Sequence, residues 1–284
     1  MFGKRELGVT DETTGATVWC TLVTVSYNSA PALREFWGSA GALPSGVEWI
    51  VVDNASSDDS VEVARGLGAT VIPSTNNLGF SASNNRGLRE ARGQFIGFVN
   101  PDVRIDFSDL EGLRDEAVRL GAIVSPQLKN ADGTLQPNGR GFPLLLDKIR
   151  NRLGGEAQLN DRYLMYPRDE NARAVCWLMG ASVFGTREAI DQVGGWDDHF
   201  FLYYEDSDLG VRSWSAGVPV YIIPAFEWTH GWARETKGLS VVPWMRELSS
   251  GSKFYKRYPE FLLSRKNAAR KHPRIEAAVF GDAG

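Results

Sequence analysis

The chain has 284 residues, 43% of them hydrophobic and 23% charged, which suits one large globular domain or a domain with a subdomain. A formal net charge of -4 argues against nucleic acid as a partner. No run approaches the roughly 18 apolar residues of a membrane span, and Met1-Phe2-Gly3-Lys4-Arg5-Glu6 opens without an apolar h-region.

Residues 1–18 are polar and read as a flexible N-terminal segment. From Trp19 a βα rhythm begins. Trp19–Tyr27, Val47–Asp53, Ala69–Pro73, Gln94–Val99 and Ala122–Ser125 read as strands, and Pro31–Ala40, Asp58–Gly68, Ser81–Arg92 and Ser108–Leu120 as helices. This alternation predicts an α/β fold with a mostly parallel sheet and helices on both faces. After residue 126 the rhythm breaks. Asn130-Ala131-Asp132-Gly133 predicts a hairpin turn, and residues 139–172 lack a clear period and read as a mobile loop or lid. Ala174–Gly185 returns as a β-rich run. Arg187–Val193 and Asp206–Ala216 read as helices, Val218–Ile223 as a last strand, and 240–271 as mainly helical. Cys20 and Cys176 lie in apolar, strand-like runs, so buried reduced thiols and a cytoplasmic compartment are expected.

In open α/β sheets, ligands bind at the carboxyl ends of the strands. Polar residues gather at those ends: Ser26-Tyr27-Asn28, Asp53-Asn54-Ala55-Ser56 and Asn100-Pro101-Asp102. Each alone is a turn signal; their repetition at one edge points to a site. Asp53 suits a base N–H, Tyr27 a stacked ring, and Asn28 a ribose or phosphate. The segment from Asn76 to Gly87 opens the third helix. There Gly79 permits close backbone approach, the helix N-terminus favours an anion, and Arg86 adds positive charge. An ordinary capped helix start explains the same residues. Asp102, just past a buried strand, is placed to hold Mg²⁺ or Mn²⁺ against a diphosphate. His230, in Trp228-Thr229-His230-Gly231-Trp232, is the candidate second ligand, although a histidine among aromatics is more often structural.

Residues 196–210 carry the densest signal. Phe200-Phe201-Leu202-Tyr203-Tyr204 runs straight into Glu205-Asp206-Ser207-Asp208. Burial and like-charge neighbours raise a carboxylate pKa toward a working range; an acidic first helical turn also complements the helix dipole. Several rival chemistries lack their motifs. The turn after the first strand, Ser26-Tyr27-Asn28-Ser29-Ala30-Pro31, has no glycine for a dinucleotide fingerprint, and neither a Walker loop nor Gly-x-Ser-x-Gly is present.

Taken in order, these segments resemble glycosyltransferase family two with its GT-A fold. They are Val23–Asn28, Val51–Asp58, Asn77–Phe80, Val99–Asp102, Trp177–Ala181, Gly194–Asp197, Tyr204–Leu209 and His230. The likeness covers about residues 19–232 and is greatest to bacterial rhamnosyltransferases of cell-wall and O-antigen assembly. It implies an inverting transferase that uses a nucleotide-diphosphate sugar and a divalent cation, Mn²⁺ or Mg²⁺. Asp53 then matches the base-reading residue, Asp102 and His230 the metal ligands, and Asp206 the catalytic base beside Glu205. Ser26, Tyr27, Asn28, Asp53, Asn54, Gly79, Phe80, Asn84, Arg86 and Asn100 become the nucleotide-sugar set. Trp177, Gly180, Ala181 and Trp196 shape the donor and acceptor pockets. Asn100 departs from the aspartate of many members, but the rhamnosyltransferase-like subgroup carries Asn-Pro-Asp. Residues 19–126 become the nucleotide-sugar half, 127–239 the acceptor and catalytic half, and 240–284 a basic helical tail. The expected donor is dTDP-L-rhamnose, with a UDP-hexose or a non-catalytic nucleotide-sugar-binding role as alternatives. The expected acceptor is a saccharide, free or polyprenyl-linked.

Residues 253–274 hold eight Lys and Arg against one acid, Glu260, interleaved with Phe254, Tyr255, Tyr258 and Phe261. A solvated or packed terminal helix explains them. The alternative is a peripheral contact on the inner face of the cell membrane, where basic residues meet anionic lipid.

Overall fold

The computed structural model describes residues 17–152, 162–231 and 241–281; the expectation for residues 1–18 lies almost wholly outside them. The first half runs β1 (Cys20–Ser26), α1 (Ala30–Ala32) with a π-helical continuation over Leu33–Trp37, β2 (Val47–Asp53), α2 (Ser60–Gly66) and β3 (Thr70–Pro73). It continues through α3 (Phe80–Glu90), β4 (Phe95–Val99), β5 (Val103–Arg104), α4 (Leu110–Leu120) and β6 (Ile123–Lys129). Then come β7 (Gly139–Arg140), α5 (Leu145–Arg152), β8 (Leu164–Met165), β9 (Arg173–Ala174), β10 (Trp177–Leu178) and β11 (Ser182–Thr186). The chain ends with α6 (Arg187–Val193), α7 (Glu205–Ala216), β12 (Val220–His230), α8 (Val241–Arg257), α9 (Glu260–Leu263), α10 (Arg265–Lys271) and α11 (Pro273–Phe280).

Among the described residues, nine strands form one sheet in the order β3-β2-β1-β4-β11-β6-β12-β5, with β9 paired to β12. Strands β1 to β4, β6 and β12 share one direction. β11 enters antiparallel between β4 and β6, and β5 and β9 run antiparallel to β12. β10, β7 and β8 make a separate antiparallel sheet.

The central strands are apolar on both faces because both are covered. Alternation decides which core each residue joins. Leu22, Phe95 and Val99 pack with Leu33, Trp37 and Leu110 on one side. Val23, Ile96 and Phe98 pack with Trp177, Trp196 and Val211 on the other. The second core carries the segment that holds the acid pair.

Several elements differ from the sequence reading. The strand expected to stop at Ile223 continues to His230, because a register shift between Ile223 and Glu227 absorbs Pro224. A bulge tolerates the missing proline N–H that a regular ladder does not. Residues 139–172, read as a loop or lid, contain β7, α5 and β8. Residue 126 falls inside β6, so that strand spans the expected boundary between the two halves. The C-terminal basic segment is packed on the domain: Phe254 and Phe261 are fully buried and Tyr255 nearly so. Arg257 pairs with Asp197 and Asp208, and Arg265 pairs with Glu276. Phe254, Tyr255 and Phe261 therefore belong to the interior of the fold, while Arg257 and Arg265 are engaged in ion pairs at its surface.

Candidate active site

The loops after β1 and β2 are laced together at the carboxyl edge of the sheet. Asn28 sits in the left-handed region at φ 51, a conformation asparagine tolerates well. Its Oδ1 accepts from the Ser57 N–H at 2.8 Å, and its own N–H donates to Ser56 Oγ at 2.9 Å. Asp53 is 3% exposed, and its carboxylate accepts from the Ser56 N–H at 3.0 Å and the Ser56 hydroxyl at 2.5 Å. Tyr27 beside them is exposed, and Ser26 Oγ is buried with no protein partner among the described residues.

The start of α3 is tied to two other segments. The Phe80 N–H donates to Phe201 O at 2.7 Å, the Gly79 N–H to Asn77 Oδ1, and the Leu78 N–H to Asn54 Oδ1. Gly79, at φ +85, is required by the Phe201 backbone: an added Cβ would lie 2.5 Å from Phe201 O. Asn54 also accepts from Ser83 Oγ, Asn84 donates to Phe80 O, and Arg86 donates to Ser74 Oγ. This set fixes α3 against β2, β3 and the loop that leads to the acid pair. Asn85, which sequence reasoning missed, clamps the same loop: its amide exchanges hydrogen bonds with the Trp196 backbone at 2.7 and 3.0 Å.

Asp102 and His230 come together. The extension of β12 brings His230 opposite Val103 of β5, and His230 Nε2 lies 3.5 Å from Asp102 Oδ2. Gln136 sets the imidazole. Its Nε2 donates to Asn130 Oδ1 and to His230 O, so its Oε1 faces His230 Nδ1 as an acceptor at 2.8 Å. Nδ1 then carries a proton, and Nε2 faces Asp102. A carboxylate oxygen beside an imidazole whose other nitrogen is hydrogen-bonded is a donor set that suits Mn²⁺ or Mg²⁺. The described residues contain no group of three metal-ligating side chains. Asn100 is held nearby by its backbone, donating to Ala181 O at 2.9 Å and accepting from the Trp37 indole at 3.2 Å.

Gly180 lies beneath the Phe80 ring, which meets Trp196 edge-on with centroids 5.1 Å apart. Among the described residues, the indole N–H groups of Trp177 and Trp196 and Glu205 Oε2 are buried without a hydrogen-bond partner. Buried polar groups are normally satisfied, so these three side chains stand out in the segments that the sequence reading assigned to the donor and acceptor pockets. Just before α7, Tyr203 and Tyr204 both adopt positive φ, 70 and 67. Such residues each cost about 1–3 kcal/mol and gather at functional sites. Their effect is to set Glu205 and Asp206 on the first turn of α7 directly beneath the aromatic run.

Glu205 is buried, and burial first, then the neighbouring Asp206 charge, pushes its carboxyl up to about 8. Asp206 is half-buried, with Oδ1 accepting from the Ser207 N–H at 2.7 Å. Lys148 is the partner that sequence reasoning missed, because it lies in the stretch without clear period. Its Nζ donates to Ser207 Oγ at 2.8 Å and stands 4.1 Å from the Trp177 ring centroid. Burial pushes its ammonium down, opposed by the charges of Asp206 and Glu205.

A stability test follows from Glu205. A carboxyl whose folded pKa is raised keeps its proton in the folded state after the unfolded chain has lost it. Its contribution is full below about 4.5, the ordinary glutamate value, and falls as pH rises to about 8. Urea unfolding from pH 5 to 8.5 should show this decline, and Glu205→Gln should flatten it. An unchanged slope in the variant would remove Glu205 as its source.

The large, mostly parallel sheet has the architecture of GT-A glycosyltransferases. A mannosyltransferase from Pyrobaculum calidifontis, solved with GDP-Man and Mn²⁺, shares the fold with a TM-score of 0.58 at 16% identity, covering 92% of this chain and 69% of that one. The model of glycosyl transferase family 2 matches residues 21–168, and this chain belongs to that family. An N-acetylglucosaminyl-diphospho-decaprenol L-rhamnosyltransferase of Mycobacterium tuberculosis is 30% identical over 236 residues, 76% of each chain. The rhamnosyltransferase WbbL of Escherichia coli K12 is 24% identical over 219 residues, 74% of this chain and 82% of that one.

Proposed function

We propose that this enzyme transfers L-rhamnose from dTDP-rhamnose, with inversion, to a saccharide carried on a lipid diphosphate. The observation that carries the chemistry is the approach of His230 Nε2 to within 3.5 Å of Asp102 Oδ2. The donor and acceptor readings are supported by the two rhamnosyltransferase relatives, one of them named for a diphospho-decaprenol acceptor.

Asp102 and His230 would hold the divalent cation, which offsets charge growing on the leaving diphosphate. Asp53, Asn28 and Tyr27 are assigned to the base and ribose. The Trp177 and Trp196 indoles are assigned as donors to sugar hydroxyls. Asp206 takes the proton of the acceptor hydroxyl as its oxygen bonds to the anomeric carbon. The bond from that carbon to the diphosphate oxygen breaks on the opposite side, and its electron pair leaves with dTDP. Glu205, holding its proton, limits repulsion beside Asp206. Among the described residues no helix is long and apolar enough to cross a membrane, so the proposed meeting with a lipid-borne acceptor is peripheral, at the inner face.

A thermal-shift panel of dTDP-rhamnose, UDP-glucose, UDP-galactose and UDP-GlcNAc, each with and without Mn²⁺, tests the donor assignment. A ligand at a hundred times its Kd adds about 2.7 kcal/mol. The largest shift is expected with dTDP-rhamnose plus Mn²⁺, and His230→Ala should remove the Mn²⁺-dependent part. A larger shift with a UDP sugar would reassign the donor. A shift indifferent to Mn²⁺ and to His230→Ala would reject the metal pair.

A further inference from the structure

An apolar cavity of about 540 Å³ lies between α5, α8, α9 and the start of α7. Leu145, Ile149, Leu248, Leu262, Tyr204 and Tyr255 form its apolar lining. The volume falls within the roughly 300–1,000 Å³ of small-molecule sites. Of the segments read from the sequence, Tyr204 of the aromatic run and Tyr255, Lys256 and Leu262 of the basic tail reach it, and the donor assignment leaves it unused.

The cavity is joined to the acid pair. Tyr204 directly precedes Glu205, and Lys148, which also lines the cavity, donates to Ser207 Oγ at 2.8 Å, one residue past Asp206. Lys256 lines it as well, and Glu247 is the single acid among the lining residues. Outside, the same three helices carry an apolar rim. Ile149, Leu248 and Leu262, which line the cavity, are exposed, and so are Leu146 and Leu263, each next in sequence to a lining residue. Exposed apolar surface gathered in one place marks a binding site.

We propose that this groove seats the first isoprene units of the lipid carrier that delivers the acceptor saccharide, with Lys148 and Lys256 meeting its diphosphate. The inference rests on the acceptor class proposed above. Such an acceptor presents, in order, a sugar hydroxyl, two phosphates and a hydrocarbon chain. The protein presents a carboxylate at Asp206, the Lys148 ammonium beside it, and then the apolar groove. A saccharide free in solution has no use for the third part. The exposed rim extends the apolar surface for chain that the cavity is too small to hold. A diphosphate beside Lys148 would also favour the charged ammonium, against the burial that opposes it.

The probes are geranylgeranyl diphosphate and inorganic diphosphate, titrated calorimetrically into the full chain. The variants are Leu248→Glu and Leu262→Glu, at positions 69% and 45% exposed where a charge leaves the core intact. An unchanged donor thermal shift confirms their folding. Geranylgeranyl diphosphate should bind at least about tenfold more tightly than inorganic diphosphate, and each variant should lose about tenfold for the isoprenoid probe alone, since a carboxylate against a hydrocarbon chain is desolvated. Equal affinity for the two probes, or variants that bind the isoprenoid like wild type, would overturn the groove. Transfer assays separate this from the acceptor reading. Equal use of GlcNAc-diphosphate bearing an ethyl or a geranylgeranyl chain sinks the groove and keeps that acceptor class. No transfer to either compound sinks the acceptor class itself.

Discussion

Asp206→Asn should leave the fold and donor binding intact and lower kcat by about 10²–10⁴, the usual worth of a positioned general base. The amide keeps the size of the side chain and can still accept from the Ser207 N–H, which meets Asp206 Oδ1 at 2.7 Å. It cannot take a proton from an attacking hydroxyl. KM for the donor should change little, because the assigned donor contacts lie on or just after β1, β2 and β4, on β10 and β12, and at Trp196 in the loop before α7, with none at Asp206. Turnover near that of wild type would return the base role to another group. Glu205 is a poor replacement, since it is buried and its raised pKa leaves it protonated over much of the neutral range.

Asp208→Ala should cost about 3–5 kcal/mol of stability, the range for removing one partner of a buried ion pair. Asp208 is fully buried on α7. Its carboxylate accepts from Arg212 Nε at 2.6 Å, Arg257 Nη1 at 2.7 Å and Tyr258 Oη at 2.9 Å. It therefore joins α7 to the end of α8, and Arg212 extends the tie to Val193 O and Gly195 O. Truncation leaves two guanidinium groups and a phenol short of an acceptor. Domains of ordinary size have only about 5–15 kcal/mol in total, so the variant should unfold at much lower urea. A loss below about 1 kcal/mol would show that Arg257 and Tyr258 repair the gap among themselves. Glu205 and Asp206 are the acids proposed for the chemistry, so this variant separates a structural acid of the cluster from the two proposed functional ones.

The βα rhythm of the first half was legible because buried parallel strands are continuous apolar runs set off by polar turns and helices. The extension of β12 was not, since Pro224 breaks the local pattern and only pairing with β6 and β5 carries the strand on to His230. The Asp102–His230 pair was still legible, as two ligand-type residues flanked by strands. The reading of Gly79 shows the limit of local inference. Its need for positive φ and close approach was visible, but the partner, Phe201, lies over a hundred residues away in the chain. Lys148 carried no signal at all: it is one lysine in an aperiodic stretch, and only α5 packing against α7 makes it a neighbour of Asp206. Charge density along the basic tail does not show which arginines are held in ion pairs, as Arg257 is with Asp197 and Asp208.

The most direct test of the central claim is nucleotide release with product analysis. The protein would be incubated with dTDP-rhamnose, a GlcNAc-diphospholipid and Mn²⁺, and both dTDP and product mass followed. The expected result is one dTDP released per rhamnose added to the lipid, abolished by chelator and by Asp206→Asn. Absence of dTDP release and of rhamnosylated product, with a folded protein that binds the donor, would contradict the account.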